Sequence, residues 1–119
     1  MKIMLVDDSN TMRRIQRNQL GSLGMTDVVE ASNGEEALDV LAGNMPVDLV
    51  LLDWNMPVMD GLTFLKRVRS DSAYNGVKIF MCTSESEKPK VVEALKAGAN
   101  NYIIKPFTPE TLSEKLGLD

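Results

Sequence analysis

The chain has no histidine. That absence excludes His-dependent catalytic triads, His metal sites and a role as a histidine phosphocarrier. Cysteine occurs once, at Cys82, so there is no intrachain disulfide and a reducing, cytoplasmic setting is the default. Long apolar runs are missing too. Leu49 to Leu52 and Val77 to Cys82 fall far short of the roughly 20 residues of a membrane span. The apolar stretch before Asp7 is too short for a signal peptide. Nor is there an excess of positive charge: the formal net charge is −4, which argues against nucleic acid as a partner and against a polybasic membrane anchor.

What is present fits one domain. A chain of 119 residues, 44% hydrophobic and 25% charged, buries enough surface for a core without disulfides or structural metals. No repeat, low-complexity segment or linker divides it, so residues 1–119 read as a single domain.

Short β-type runs alternate with helical ones. Lys2 to Val6, Val28-Val29, Val47 to Leu52, Val77 to Cys82 and Tyr102-Ile103-Ile104 read as strands. Between them, Met12, Ile15, Leu20 and Leu23 predict a first helical face, with Gly24 as its stop. Ser32-Asn33-Gly34-Glu35 has the form of a capping box, with Ala37, Leu38 and Leu41 behind it. Pro57 and Asp60-Gly61 punctuate a loop before a third helix carrying Leu62, Phe64, Leu65 and Val68. Ser84 to Glu87 repeats the capping box before Val91, Val92 and Leu95, and Thr108-Pro109 opens a last helix carrying Leu112 and Leu116. Five strands alternating with five helices predict an α/β fold, a parallel sheet covered on both faces.

In such sheets ligands bind beyond the carboxyl ends of the strands. The residues that follow the apolar runs are Asp7 and Asp8, Asp53, Thr83 and Lys105. Three carboxylates at one edge repel one another, by about 3–4 kcal/mol per close pair at an effective dielectric near 20. They need a cation, or one must hold a proton. Mg²⁺ suits an all-oxygen set, and Lys105 adds a fixed positive charge. A carboxylate beside Mg²⁺, a Lys and a Thr hydroxyl is suited to accepting a phosphoryl group. Asp53 is the best acceptor because it ends a central strand alone, whereas Asp7 and Asp8 form a pair suited to cradling the ion. Taken singly, each residue has an ordinary explanation: a helix cap for Asp7-Asp8, a turn for Asp53, a β-branched filler for Thr83, a surface lysine for Lys105. Cys82 and Trp54 read as packing residues, Met56 and Met59 as gap-fillers, and Tyr102 as a buried tyrosine with its hydroxyl bonded.

Val6-Asp7-Asp8-Ser9, Asp53-Trp54-Asn55-Met56-Pro57 with Asp60-Gly61, Thr83-Ser84-Glu85 and Tyr102-Ile103-Ile104-Lys105-Pro106-Phe107 together span the chain. In this order they resemble bacterial two-component response-regulator receiver domains, and among them the stand-alone chemotaxis branch, the CheY type. The resemblance implies a flavodoxin-like, doubly wound sheet of order 2-1-3-4-5 with five helices, forming one receiver domain over residues 1–119 with no output domain. It implies that Asp53 accepts a phosphoryl group from the phosphohistidine of a CheA-like sensor histidine kinase, so that the chain is a signalling switch and not an enzyme. Asp8, Asp53 and the backbone carbonyl of Asn55 would hold Mg²⁺, with Asp7 acting through water. Lys105 would contact the phosphoryl group, in the family beside a cis Lys105–Pro106 bond; Thr83 would swing in to it and Tyr102 would follow. The shift would alter a surface on the fourth helix, fifth strand and fifth helix, including Lys88, Tyr102 and Lys115. That surface binds the flagellar motor switch in the chemotaxis branch, and a phosphatase is a further expected partner of what would be a monomer.

The chain departs from relatives in a short last helix ending at Gly117-Leu118-Asp119. Glu85 and Asn55 match the chemotaxis type and point to a short-lived phosphoryl group. Three other functions stay open at this stage. A phosphorelay intermediate would pass its phosphoryl group to a His-phosphotransfer protein. A small aspartyl-phosphate hydrolase would need a second Asp where Asn55 stands. A flavin carrier would need a Ser/Thr- and Gly-rich loop where Asp7-Asp8 stands.

Overall fold

The five apolar runs lie side by side as one parallel sheet. The computed structural model describes residues 1–117, the side chains of Glu85 and Ser86 excepted. The elements run β1 (Ile3–Val6), α1 (Asn10–Ser22), β2 (Val28–Ala31), α2 (Gly34–Asn44), β3 (Leu49–Asp53), α3 (Gly61–Arg69), β4 (Lys78–Thr83), α4 (Val91–Lys96), β5 (Asn101–Ile104) and α5 (Pro109–Leu116). The sheet order is β2-β1-β3-β4-β5, as the resemblance implies. Because β3 pairs with β1 on one side and β4 on the other, Asp53 ends the central strand, in register with Cys82.

Side chains alternate across the sheet with period two. Met4, Val6, Val50, Leu52, Ile79 and Met81 face a layer that includes Ala37 and Leu41 of α2, Phe64, Leu65 and Val68 of α3, and Ala94 of α4. Ile3, Leu5, Leu49, Leu51, Phe80, Cys82 and Ile103 face the other way, against Leu20 of α1 and Leu112 of α5. Both faces of the central strands β1 and β3 are covered, which is why these read as unbroken apolar runs, whereas edge strand β2 carries Glu30. Met56 and Met59 pack against the first layer. Cys82 is buried, and burial pushes its thiol up to about 12, with Lys105 pulling it down and Asp53 and Asp7 pushing it further up.

Several local expectations differ from the structure. On α1 the buried stripe includes Gln16 and Leu20, one position away from Ile15, which is 45% exposed. Placement on the helix, four residues before Leu20, outweighs side-chain polarity there. On α4 the buried positions are Val91 and Ala94, three apart, so Val92 and Leu95 are exposed at 58% and 42%. Asn33, not Ser32, caps α2 by accepting from the Glu36 N–H; the Ser32 hydroxyl bonds the Glu36 carboxylate instead. The segment after Ser84 opens as a 3₁₀ turn, Glu85–Lys90, and becomes α-helical only at Val91. Pro89, which has no N–H to donate, lies in that turn. A second 3₁₀ turn, Ser72–Tyr74, precedes β4. Thr108 caps α5 with Pro109 at its first position, and Gly117 closes it in the left-handed conformation. Leu116 is partly buried against the second layer, and Leu118 and Asp119 lie outside the described residues. Tyr102 is half-buried.

Candidate functional site

The carboxyl ends of β1, β3, β4 and β5 meet at one edge. Asp53 is the last residue of β3 and its side chain is buried. Its placement depends on Gly61: a Cβ there would collide with the Asp53 carbonyl oxygen. Gly61 instead lets the backbone close up, its N–H donating to the Trp54 carbonyl at 2.9 Å. Asp60 then caps α3 by accepting from the Thr63 N–H. The loop between these points is also pinned to α2, where the Gly34 N–H donates to the Met59 carbonyl at 3.1 Å. Within it Val58 is exposed with φ of 69°, a conformation that costs a β-branched residue about 1–2 kcal/mol.

Asp7, Asp8 and Asp53 each offer a carboxylate oxygen, all within 4.8 Å of one another. Asp7 and Asp53 are buried and Asp8 is exposed. Lys105 donates to Asp53 Oδ1 at 2.7 Å and lies 3.6 Å from Asp7 Oδ2. The Lys105–Pro106 bond is cis. Asp7 Oδ1 accepts from the Ser9 N–H, but Asp7 Oδ2 has no hydrogen-bond partner among the described residues. Thr83 is fully buried at the end of β4, and its hydroxyl likewise has no hydrogen-bond partner among the described residues.

Charge is out of balance here. Burial raises Asp53 above the ordinary carboxylate range, Lys105 pulls it back, and nearby Asp7 pushes it up again, leaving it raised. Burial alone would lower Lys105, but its hydrogen bond to Asp53 and its attraction to Asp53 and Asp7 outweigh that, and it is raised. The two shifts do not mirror each other because burial, the largest effect on both, pushes the acid up and the amine down, and Asp7 then repels Asp53 while attracting Lys105. An all-oxygen donor set with an orphaned buried carboxylate oxygen fits a small hard cation that keeps some of its waters. Mg²⁺ fits these residues.

The residue range and order of these features match a known family. The family described as Response regulator receiver domain matches residues 3–117. The chain belongs to that family. Among the receiver's relatives, the chemotaxis protein CheY1 of Helicobacter pylori is 53% identical over 98% of this chain and 94% of its own length. The chemotaxis protein CheY homolog of Campylobacter jejuni is also 53% identical, over 98% of this chain and 89% of its own length. Among solved structures, the chemotaxis protein CheY4 of Vibrio cholerae superposes on the receiver with a TM-score of 0.87 at 38% identity, covering 98% of this chain and 96% of the other.

Other residues singled out in the sequence lie on β5, on α4 and α5, and in the segments that follow Asp53 and Thr83. Tyr102 on β5 lies under the Lys115 ammonium, 4.3 Å from the ring centroid. Lys88 is exposed in the 3₁₀ turn before α4, with Val92 and Leu95 exposed on α4 itself. Asn55 is exposed, and its side-chain amide donates to the buried carboxylate of Glu87. The Glu85 side chain lies outside the described residues. Sequence reasoning missed Glu87 and Lys90 as neighbours of the site. Lys90 sits over the Trp54 ring at 5.8 Å, and Trp54 itself is buried. Only the capping-box position of Glu87 hinted that its carboxylate turns back toward β4.

Proposed function

We propose that this receiver is a phosphorylation-activated switch in which Asp53 takes a phosphoryl group from the phosphohistidine of a sensor histidine kinase. The observation that carries this reading is the meeting of Asp53, Asp7, Asp8, Lys105 and the buried Thr83 hydroxyl, which has no partner among the described residues, at one sheet edge. Asp8, Asp53 and the Asn55 backbone carbonyl would hold Mg²⁺, with Asp7 acting through water. The ion, when bound, neutralises charge on the transferring group and on the three carboxylates. An Asp53 carboxylate oxygen attacks phosphorus; the P–N bond to the donor imidazole breaks as the P–O bond forms. Lys105, held at 2.7 Å from Asp53 Oδ1, is placed to move its ammonium onto a phosphoryl oxygen. Thr83 supplies a buried hydroxyl, without a partner among the described residues, that gains one when it donates to the same group.

Donation by Thr83 is the differential contact that favours the active state. Tyr102 sits two residues from the β5 end, opposite Met81 of β4, and follows Thr83 as the second part of the switch. The readout surface comprises Lys88, Tyr102 and Lys115, with the exposed Val92 and Leu95 supplying an apolar centre. The chemotaxis relatives, spanned nearly end to end, support a receiver whose partners are a CheA-like kinase and a flagellar motor switch protein, acting in the cytoplasm. No helix among the described residues is long and apolar enough to cross a membrane. An aspartyl-phosphate hydrolase lacks support because the position two after Asp53 carries an amide, not an acid.

The test is labelling by acetyl phosphate with and without Mg²⁺. Asp53→Asn is expected to lose labelling entirely while keeping its circular dichroism spectrum. Full labelling of that variant, or labelling that ignores Mg²⁺, would sink the assignment. Binding of the labelled protein to a motor-switch peptide tests the output.

A further inference from the structure

The segment that follows Thr83 is fastened to the residues that follow Asp53. Glu87 is 8% exposed, yet its carboxylate is well satisfied: one oxygen accepts from the Ser84 N–H at 3.1 Å and the Ser84 hydroxyl at 3.2 Å. The other oxygen accepts from the Asn55 side-chain amide, 32 positions away in the chain. Three residues on, the Lys90 ammonium lies over the Trp54 ring. The two residues that follow Asp53, Trp54 and Asn55, are thus held by one 3₁₀ turn, Glu85–Lys90.

We infer that Glu87 is a positioning residue: through Asn55 it sets the loop that presents a main-chain carbonyl to Mg²⁺, and so couples the ion to the start of α4. A backbone carbonyl on an exposed loop is a poor ligand unless its main chain is held, because holding it otherwise costs conformational entropy on binding. The Asn55–Glu87 bond supplies that restraint from a buried anchor. The same bond transmits in the other direction. Any shift of Asn55 on ion binding pulls on the turn that carries Lys88 and leads into Val92 and Leu95, and the coupling is reciprocal.

This inference rests on the Mg²⁺ reading of the acidic cluster, and the experiment separates the two. The probe is MgCl₂ alone, without phosphodonor, read by Trp54 fluorescence and by hydrogen exchange over residues 84–90. Glu87→Ala is expected to weaken Mg²⁺ binding about three- to tenfold, below the usual range for outer-shell ligands because the ligand is main chain. Asn55→Ala keeps the carbonyl and the Glu87 charge but breaks the bond, and is expected to weaken binding equally. The double variant is expected to be no weaker than either single one. In wild type Mg²⁺ slows exchange over 84–90; in both variants that protection is lost. Asn55→Ala alters an exposed side chain, so it decides the matter even if Glu87→Ala fails to fold. Weakening by Glu87→Ala alone would show a charge effect and overturn the positioning role, as would additive effects or unchanged affinity in both variants. Asp8→Asn is the control. If it binds Mg²⁺ as wild type does, the acidic-cluster reading itself falls, and the coupling with it.

Discussion

Two acidic groups, one on β2 and one at the ends of β1 and β3, are treated in opposite ways. Glu30 on β2 is a single carboxylate bound by two guanidinium groups, Arg13 at 2.9 Å and Arg17 at 2.6 Å, both from α1. Asp7, Asp8 and Asp53 are three carboxylates that share one ammonium, Lys105, among the described residues. Arg13 reaches across to this cluster, but bonds the Asp7 main-chain carbonyl and not its carboxylate. Burial alone would raise Glu30, but the hydrogen bonds and charges of Arg17 and Arg13 outweigh it and lower it. Asp53 ends up raised. An acid with surplus cations is finished as a piece of structure. Acids with too few are an incomplete site, and the incompleteness itself specifies a small, hard, positively charged ligand.

The largest effect should come from removing the shared cation. Lys105→Met is expected to cost the ion-free protein about 2–4 kcal/mol in urea unfolding, because two buried carboxylates lose their partner. Mg²⁺ should restore much of that. Arg17→Ala removes one of two partners of a more exposed acid, and should cost under about 1 kcal/mol with no response to Mg²⁺. Equal losses in the two variants would erase the distinction between the clusters.

Removing an acid sharpens it further. Asp8→Asn relieves repulsion at an exposed position and should raise ion-free stability by about 1 kcal/mol, while abolishing stabilisation by Mg²⁺. Glu30→Gln should lower stability instead. A destabilised Asp8→Asn protein would mean that the cluster is already balanced.

The smallest effect is in acid, where the two groups should act with opposite sign. Glu30, lowered in the fold, contributes stability that is complete above its ordinary value and is lost as pH falls through the lowered one. Asp53, raised in the fold, disfavours the ion-free folded state near neutrality and relieves that penalty as pH falls through its raised value. Urea midpoints of Glu30→Gln and Asp53→Asn across the acid range, without Mg²⁺, read the two contributions. Glu30→Gln should flatten the acid loss and Asp53→Asn should remove the gain. The same raised value means Mg²⁺ affinity should fall at a higher pH than an ordinary aspartate predicts, which a Trp54 fluorescence titration would follow.

The sheet edge was legible because its rule is local. A buried parallel strand must be apolar until it stops, so Asp53, Thr83 and the Asp7-Asp8 pair mark ends that a single chain shows directly. Helix faces were less legible, because periodicity identifies an apolar stripe only to within a residue. Ile15 and Val92 are apolar but exposed, while Gln16 is polar and buried. Asn33 and Ser32 are both good caps, and only the backbone decides which N–H each oxygen reaches.

The order of apolar runs and the acids, hydroxyl and amine that end them follow from the sequence alone, since burial on both faces leaves little freedom in where a strand can stop. The contacts that join distant segments do not. Lys105 reaches Asp53 across 52 positions, Asn55 meets Glu87 across 32, and Lys90 finds the Trp54 ring. Long polar side chains have many rotamers of similar energy, and a partner is selected only once the packed strands and turns bring one within reach. The sequence thus located the place where charge accumulates, and tertiary structure decided that it would remain unbalanced at Asp53 while being settled at Glu30.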